Sequence, residues 1–310
     1  MDRNQTGSNS KRSALGTSLQ ALAVIVAASS IQATEAAGQG SAPQAGQEVI
    51  LVTGSTDGLG REVARRLGAD GAHVIIHGRN RERGLAVVEE IEQGGGTARF
   101  YAADFGSVDQ VRDFAETILE DYDRLDVLVN NAGIWVDDPE RQLSDDGHEL
   151  HFAVNYLSGF QLTHLLLPRL IESAPARIVN VASAAQQPID FDDVMLTAGY
   201  DDSRAYAQSK LAQVMFTMDL AEELEGEGVA VNSLHPATLM NTTLVREIGV
   251  EPRSTVEEGA EAVVNLVRSE EVGTGEYYNG LRQARPDDQA FDEAARERLR
   301  ELSRELTGIQ

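Results

Sequence analysis

The stretch that decides the fold is VILVTGSTDGLG, residues 49–60. It starts as a short apolar run at 49–53, typical of a buried strand, and glycines follow at positions 54, 58 and 60. A helical pattern then covers 59–69, with Leu59, Val63, Ala64 and Leu67 at helical spacing. Glycines between a strand and a helix let the backbone turn tightly and approach a pyrophosphate at the helix N-terminus. The spacing is G-x-x-x-G-x-G instead of the standard G-x-G-x-x-G, but its position still indicates a dinucleotide site.

Strands and helices alternate through the rest of the chain. Further apolar runs lie at 72–76, 98–103, 126–130, 177–182 and 229–234, and helical patterns lie between them at 81–92, 108–121, 146–172 and 204–225. This alternation predicts βαβ units and a central parallel sheet with helices on both faces. We therefore expect one α/β, doubly wound (Rossmann) domain over 48–310. Near its end we expect Tyr277 and Tyr278 to pack in the core and 287–306 to form an amphipathic helix with Phe291, Leu299, Leu302 and Leu306.

Residues 1–47 differ from this pattern. Lys11 and Arg12 precede a mostly small and apolar stretch at 14–31, and 32–47 is rich in Ala, Gly and Gln. That order is typical of an export signal, although the apolar stretch is a weak membrane span. The alternative is a disordered extension or a wrongly chosen start codon. We expect a cytoplasmic domain that requires no membrane, with export through the leader as the alternative.

The composition excludes several classes of site. The net charge is −24 and the pI about 4.5, so the chain is a poor candidate for binding nucleic acid through its phosphates. It has no cysteine, which excludes disulfides, thiolate metal sites and a cysteine nucleophile. The acidity leads to the hypothesis of a salt-adapted source. The chain has only two lysines, Lys11 and Lys210. A GC-rich genome, which favours arginine codons, is the alternative explanation for this shortage.

The end of the second predicted strand indicates which dinucleotide is bound. NAD sites place an Asp or Glu near this strand end, whereas this chain has Arg79 after His77 and Gly78. A guanidinium suits a 2′-phosphate, so the sequence favours NADP, with NAD as the alternative. Asp57 in the phosphate turn is a negative charge that opposes this assignment.

Tyr206 and Lys210 lie four residues apart on a predicted helix, so their side chains share a face. A tyrosine with a pKa near 10 is a poor acid or base at neutral pH, but a nearby ammonium stabilises the phenolate. Such a pair is usually a solvated helix face. Here lysine is so rare that its presence at position 210 favours a functional role.

Four motifs in register resemble the short-chain dehydrogenase/reductase family. They are the 53–60 turn, Asn130-Asn131-Ala132-Gly133, Ser183 after the fifth predicted strand, and Tyr206-Ala-Gln-Ser-Lys210. The stretch from Gly147 to Asn155 and the wide gap between Ser183 and Tyr206 resemble the retinol-dehydrogenase-like branch, which includes the oxidoreductase part of WW-domain oxidoreductases.

The resemblance implies a role for each residue in an NAD(P)-dependent alcohol/carbonyl oxidoreductase. Tyr206 would be the general acid/base, Lys210 would lower its pKa and hold the nicotinamide ribose, and Ser183 would bind the substrate oxygen. Asn155 would anchor a water leading to Lys210. The implied cofactor contacts, besides Tyr206 and Lys210, are Gly54, Ser55, Thr56, Asp57, Gly58, Leu59, Gly60, Arg79, Asp104, Phe105, Asn131, Ala132, Gly133, Pro236 and Thr238. The chain departs from the family at Ala237, where Gly is usual, and at Asn241, where Thr is usual.

Other interpretations remain beside this one. A non-catalytic NADP-binding sensor, or an epimerase or dehydratase on a related fold, would use the same cofactor site. His148 and His151 lie three residues apart on one predicted helix, with Glu149 between them, as two metal ligands would. No third ligand is in register, so we expect no metal. The partner expected is a small-molecule alcohol or carbonyl compound, and a homo-oligomer is left open.

Overall fold

The computed structural model describes residues 38–310, and within them the strands form one nine-stranded sheet. The order across the sheet is β1-β4-β3-β2-β5-β6-β7-β8-β9. The strands are β1 (Gln39–Gly40), β2 (Val49–Val52), β3 (His73–Gly78), β4 (Thr97–Ala102), β5 (Val127–Asn130), β6 (Ala176–Val181), β7 (Val229–His235), β8 (Tyr277–Asn279) and β9 (Arg282–Gln283).

The chain winds outward from the middle of this sheet in two directions. From β2 it passes to β3 and β4, then returns to β5 on the other side of β2 and continues to β8, with every neighbouring pair parallel. The order of the strands therefore reverses between β2 and β5. In doubly wound sheets, ligands bind at the carboxyl ends of the strands beside such a reversal.

Helices cover both faces of the sheet, as expected. They are α1 (Gly58–Ala69), α2 (Arg81–Gln93), α3 (Val108–Asp121), α4 (Ser158–Glu172), α5 (Asp202–Glu223), α6 (Thr243–Glu247), α7 (Val256–Arg268) and α8 (Glu293–Thr307). Alternate residues of a strand point to opposite faces. Accordingly Leu51 packs with residues of α3, α4, α5 and α8, whereas Ile50 and Val52 pack with residues of α1, α2 and α7.

Several elements differ from the sequence-based expectation. The sheet is not wholly parallel, because β1 and β9 pair antiparallel with its two edges. These strands have two residues each, too short for a readable pattern. The helix expected over 146–172 instead contains a π-helix at Phe152–Leu157 that leads into α4. Helices α6 and α7 were not expected, and the C-terminal helix is preceded by a separate 3₁₀ turn, Asp288–Phe291.

The two ends of the domain refine its boundaries. The compact unit begins at Gly38, ahead of the expected start at 48, because β1 pairs with β4. The rest of the predicted leader, residues 1–37, lies outside the described residues. At the other end, α8 packs on the domain itself: Arg300 pairs with Asp219 of α5, and Ser303 bonds to Tyr156. Phe291 was expected in this core but is 44% exposed, beneath the guanidinium of Arg285.

In the described part of the chain, none of the helices is both long and apolar enough to span a bilayer.

Candidate active site

The glycine-rich turn lies at the carboxyl end of β2, beside the reversal in strand order. Hydrogen bonds from the residues that follow β5 fix the conformation of this turn. The Asn131 side-chain amide donates to the carbonyls of Thr53 (2.8 Å) and Gly54 (3.1 Å). The backbone N–H of Ala132 donates to the hydroxyl of Thr53 at 2.9 Å. The predicted residues of the turn and of the Asn131-Ala132 segment therefore meet directly.

Two glycines of the turn are required by close packing. Gly54 has φ +62°, and a Cβ there would lie 2.8 Å from the Cα of Ala132. A Cβ on Gly60 would lie 2.4 Å from the Gly54 carbonyl oxygen and 2.4 Å from the Asn131 amide. Because real Cβ atoms do not approach so closely, these positions accept only glycine, and the backbone stays open along the turn.

His77, at the end of β3, supports the turn from the other side. Its Nδ1 accepts the backbone N–H of Gly54 at 3.1 Å, and its Nε2–H donates to the carbonyl of Ala103 at 3.2 Å. Burial lowers the pKa of His77 to about 3, so the ring is neutral at physiological pH. The sequence did not single out His77, because its role depends on contacts with residues far away in the chain.

Three of the expected cofactor residues have side chains turned into the protein. The Ser55 hydroxyl donates to the Val52 carbonyl at 2.7 Å, and Leu59 packs in the core under the turn. The ring of Phe105 stacks on His77 with 3.9 Å between the ring centroids. Only the backbone of these residues is left to contact a cofactor.

Asp57 caps helix α1 and is surrounded by donors. Its carboxylate accepts from the Thr243 hydroxyl (2.8 Å) and pairs with Arg83 (3.2 Å), while the backbone N–H of Gly58 also donates to it. Burial raises the pKa of Asp57, but the hydrogen bonds from Thr243 and Gly58 and the charge of Arg83 outweigh burial and lower it. The negative charge that opposed an NADP site is thus partly neutralised by Arg83.

Arg79 stands in the open next to the turn. Its side chain is 70% exposed and lies 3.6 Å from the carboxylate of Asp104, whose other oxygen accepts the N–H of Gly106 at 2.9 Å. An exposed ion pair of this kind contributes little to stability. The guanidinium is therefore available to an anion at the carboxyl edge of the sheet.

Ser183, Tyr206, Lys210 and Asn155 are brought together from three elements. Ser183 follows β6, Tyr206 and Lys210 share one face of α5, and Asn155 lies in the π-helix. The Ser183 side chain lies near enough to the Tyr206 hydroxyl to lower its pKa, and the Lys210 Nζ lies 5.6 Å from the centroid of the tyrosine ring. A Cβ on Gly133 would lie 3.3 Å from Asn155 Oδ1 and 3.4 Å from the Lys210 Nζ, so all three meet at the end of β5.

The π-helix presents Asn155 to this cluster. Such single widened turns are common at functional sites, because they move one side chain out of the regular helical register. The Asn155 side chain accepts from the backbone N–H of Ile134 (2.7 Å) and donates to the carbonyl of Ile134 (3.1 Å) and the hydroxyl of Ser209 (3.0 Å). These bonds tie the segment after β5 to helix α5.

Lys210 is almost completely buried. Its Nζ donates to the Val181 carbonyl (3.0 Å) and to the side chain of Gln213 (2.9 Å), which uses two of its three N–H bonds. Burial lowers the pKa of Lys210 to about 7. The same cause raises the pKa of Tyr206, while the Ser183 hydroxyl lowers it. In this structure the Tyr206 pKa is thus influenced by burial and by Ser183, whereas the sequence drew attention only to Lys210.

We expect the free energy of unfolding of the cofactor-free protein to rise by about 2 kcal/mol between about pH 7 and pH 9 through Lys210 alone. The folded pKa is about 7 and the ordinary value 10.5, so in this range the unfolded chain binds the proton more strongly. Stability must then increase with pH. Urea unfolding of the wild type and of Lys210→Met at both pH values measures the contribution. Equal slopes in the two proteins would show that Lys210 is not perturbed.

Tyr277 supports Ser183 from below. Its hydroxyl donates to the Ser183 carbonyl at 3.0 Å, and its ring is buried, as is that of Tyr278. The sequence correctly placed both tyrosines in the core of the last parallel strand. Their connection to Ser183 could not be read from it, since 94 residues separate the two partners.

The segment after β7 folds over the glycine-rich turn. Pro236 is buried behind it, and the exposed Thr238 bonds through its hydroxyl to Nε2 of His235 at 3.0 Å. Thr242, one residue beyond the position where the family has threonine, lies against the turn, 3.2 Å from where a Cβ of Gly58 would be. Thr243 then reaches Asp57. Thr242 therefore borders the candidate cofactor site, whereas the contact shown for the Thr238 hydroxyl is with His235 at the end of β7.

The histidines considered as metal ligands have other partners or separate positions. His151 and Glu149 are fully buried and bonded to each other at 2.8 Å. His148 is half-buried, and its backbone pairs with Ser144. Within residues 38–310 no group of three or more potential ligands is assembled for a metal ion.

Trp135 is a further residue of the site that the sequence did not indicate. Its ring stacks on the ring of Tyr206, with 4.5 Å between centroids and 15° between planes. It is the only tryptophan in the sequence and lies two positions after Gly133, the last residue of the Asn131–Gly133 segment. That proximity in sequence was the only available signal.

Comparisons with known proteins found similar sequences and similar structures. The sequence profile of the short chain dehydrogenase family matches residues 48–252. Human retinol dehydrogenase 13 is 35% identical over 292 residues, which cover 85% of each chain. An uncharacterized protein from Mycobacterium paratuberculosis has a similar crystal structure, with a TM-score of 0.71, 27% identity and coverage of 87% of this chain and 98% of that one. The NADP active-site complex of Pseudomonas aeruginosa RhlG has a TM-score of 0.63, 28% identity and coverage of 75% and 94%.

Proposed function

Because the chain belongs to the short-chain dehydrogenase family, we propose that it reduces carbonyl groups, or oxidises the matching alcohols, with NADP(H) and with Tyr206 as the general acid/base. The observation that carries this proposal is the cluster of Ser183, Tyr206, Lys210 and Asn155 beside an open glycine-rich turn. A binding protein without catalysis needs the turn but not the cluster.

The residues present fit a dinucleotide phosphate. Gly54 and Gly60 keep a backbone cradle that a Cβ would fill, and helix α1 begins there with its free N–H groups. Arg79 supplies an exposed guanidinium beyond the end of β3, where a 2′-phosphate needs a cation. The neighbour from Pseudomonas aeruginosa was crystallised with NADP, which supports the same choice for this chain.

The cofactor supplies the hydride, and the protein supplies position and the proton. The Ser183 side chain lies near the Tyr206 hydroxyl, so the two hydroxyls together can hold one carbonyl oxygen. As that oxygen gains negative charge, the Tyr206 hydroxyl transfers its proton to it. Lys210, with a pKa of about 7, can hold or release a proton near neutral pH, and Asn155 lies beside it near Gly133.

The substrate we propose is an apolar aldehyde or ketone, or the corresponding alcohol. Two features support this: the aromatic surface of Trp135 next to Tyr206, and relatives that are named for retinol. We further propose a cytoplasmic domain that binds no nucleic acid and requires no membrane, with export through the predicted leader, residues 1–47, as the alternative. Whether the protein forms a homo-oligomer is left open.

A panel of carbonyl compounds tests the proposed function. Retinal, a long aliphatic aldehyde and propanal are each mixed with protein and NADPH, and NADPH consumption is followed by absorbance, with NADH in parallel. We expect turnover with NADPH and a preference for the apolar compounds over propanal. A different result is a protein that binds NADPH but neither reduces any of these compounds with NADPH nor oxidises retinol and long alcohols with NADP. That result would favour the sensor alternative.

A further inference from the structure

We propose that Trp135 is a positioning residue for Tyr206, and that the buried pair of Glu149 and His151 holds Trp135 in place. The inference rests on the acid/base role proposed above for Tyr206. It assigns a role to a buried glutamate–histidine pair that the reaction itself does not use.

The stack covers one face of the tyrosine ring. The rings of Trp135 and Tyr206 are 4.5 Å apart and inclined by only 15°, and the indole is half-buried. Stacked aromatic rings attract each other beyond the effect of burying their area. The stack therefore favours one orientation of the Tyr206 ring and keeps water away from that face.

The backbone on both sides of Trp135 is anchored to one helical turn. Ile134 exchanges two hydrogen bonds with the side chain of Asn155, of 2.7 and 3.1 Å. The N–H of Val136 donates to Nε2 of His151 at 3.0 Å. Trp135 lies in a segment without regular secondary structure, so these side-chain bonds replace the anchoring that a strand or helix would provide.

Glu149 determines which ring nitrogen of His151 carries the proton. Because the Nε2 of His151 accepts a hydrogen bond, the ring proton resides on Nδ1, which donates to Glu149 Oε1 at 2.8 Å. The Glu149 carboxylate also accepts the backbone N–H groups of His151 (3.0 Å) and Phe152 (2.7 Å). Both side chains are 1% exposed or less. The carboxylate thus selects the tautomer that can hold Val136.

The three contacts enclose Tyr206 from different directions. Trp135 covers a face, the edge of His151 approaches at 6.4 Å and 86°, and the Lys210 Nζ lies 5.6 Å from the ring centroid. Proton transfer is sensitive to displacements of about 1 Å, which can cost about 10²-fold in rate. Loosening the stack should therefore lower kcat and leave cofactor binding nearly unchanged.

Paired substitutions test this arrangement. We expect Trp135→Leu to lower kcat about 10- to 100-fold, with the KM for NADPH within about threefold, whereas Trp135→Phe retains the stack and most of kcat. His151→Leu should lower kcat about 10-fold, and His151→Gln should recover it, since the amide oxygen can accept the N–H of Val136. His148→Leu is the matched control, with unchanged kcat.

Fluorescence provides a readout that does not depend on turnover. All tryptophan emission comes from Trp135. In cofactor-free protein we expect His151→Leu to shift the emission to longer wavelength and to increase quenching by acrylamide, and His151→Gln and His148→Leu to match the wild type. Circular dichroism reports whether each variant folds; should His151→Leu not fold, the Trp135 pair and His151→Gln still carry the test.

The outcomes separate this inference from the proposed function. An active wild type with equally active Trp135→Leu, or unchanged emission in a folded His151→Leu, would overturn the positioning role. A wild type that neither reduces these carbonyl compounds with NADPH nor oxidises the alcohols with NADP would overturn the proposed function instead, whatever the fluorescence shows.

Discussion

Tyr206→Phe is expected to lower turnover by about 10²- to 10⁴-fold, the usual contribution of a general acid/base. The substitution removes only the hydroxyl, and the ring keeps its stack on Trp135. NADPH binding should therefore change little, because the glycine-rich turn and Arg79 are untouched. Steady-state rates with the best carbonyl substrate and titration of NADPH binding measure the two effects separately.

Tyr101→Phe is a suitable control for this experiment. It also removes the hydroxyl of a buried tyrosine ring, the one that donates to Asp121 at 2.6 Å, but this bond joins β4 to the end of helix α3, away from the cluster. Its turnover should match that of the wild type. Undiminished turnover in Tyr206→Phe would refute the catalytic assignment, and equal losses in the two variants would indicate a general effect on the fold.

Arg79→Ala is expected to weaken NADPH binding about 10- to 100-fold while NADH binding changes little. A charge-assisted hydrogen bond to a phosphate contributes about 1.5–3 kcal/mol, and NADH lacks the 2′-phosphate. The wild-type ion pair with Asp104 is exposed and long, at 3.6 Å, so its loss should not disturb the fold. The dissociation constants of both cofactors, measured at one salt concentration, give the preference directly.

Arg81→Ala is the matched control, since Arg81 begins helix α2 two residues further on and is exposed as well. Little change in the ratio of the two dissociation constants is expected for it. Similar losses for NADH and NADPH in Arg79→Ala would mean that Arg79 contacts a part common to both cofactors. A larger loss of NADPH binding in Arg81→Ala than in Arg79→Ala would mean that the 2′-phosphate binds at helix α2 instead of at Arg79.

The sequence predicted the parts of the fold that repeat a simple pattern. The apolar run at 49–53 and its successors correspond to β2 to β7, and the strand-helix alternation correctly predicted a doubly wound sheet. The edge strands β1 and β9 could not be predicted, because two residues define no period. The π-helix at Phe152–Leu157 also has no signature in hydrophobic spacing, so the region read as an ordinary helix.

The candidate site divides in the same way. Residues in short local motifs, such as Gly54 and Lys210, could be identified from the sequence. Residues that act through distant contacts, such as His77 under the turn and Tyr277 under Ser183, could not. The surroundings of Lys210 were also inaccessible, since its bonds to Val181 and Gln213 and its lowered pKa follow from burial in the folded chain.

The burial of Lys210 has a practical consequence for labelling chemistry. Lysine occurs only at positions 11 and 210, and the one in the folded domain is 5% exposed beside Tyr206. Amine-directed crosslinkers and dyes therefore find one lysine side chain in this domain, and modifying it would alter the catalytic cluster. Burial lowers its pKa to about 7, so the amine is largely unprotonated in mildly alkaline buffer, and only a reagent small enough to enter the site can reach it. Protection of this one position would report occupancy of the site.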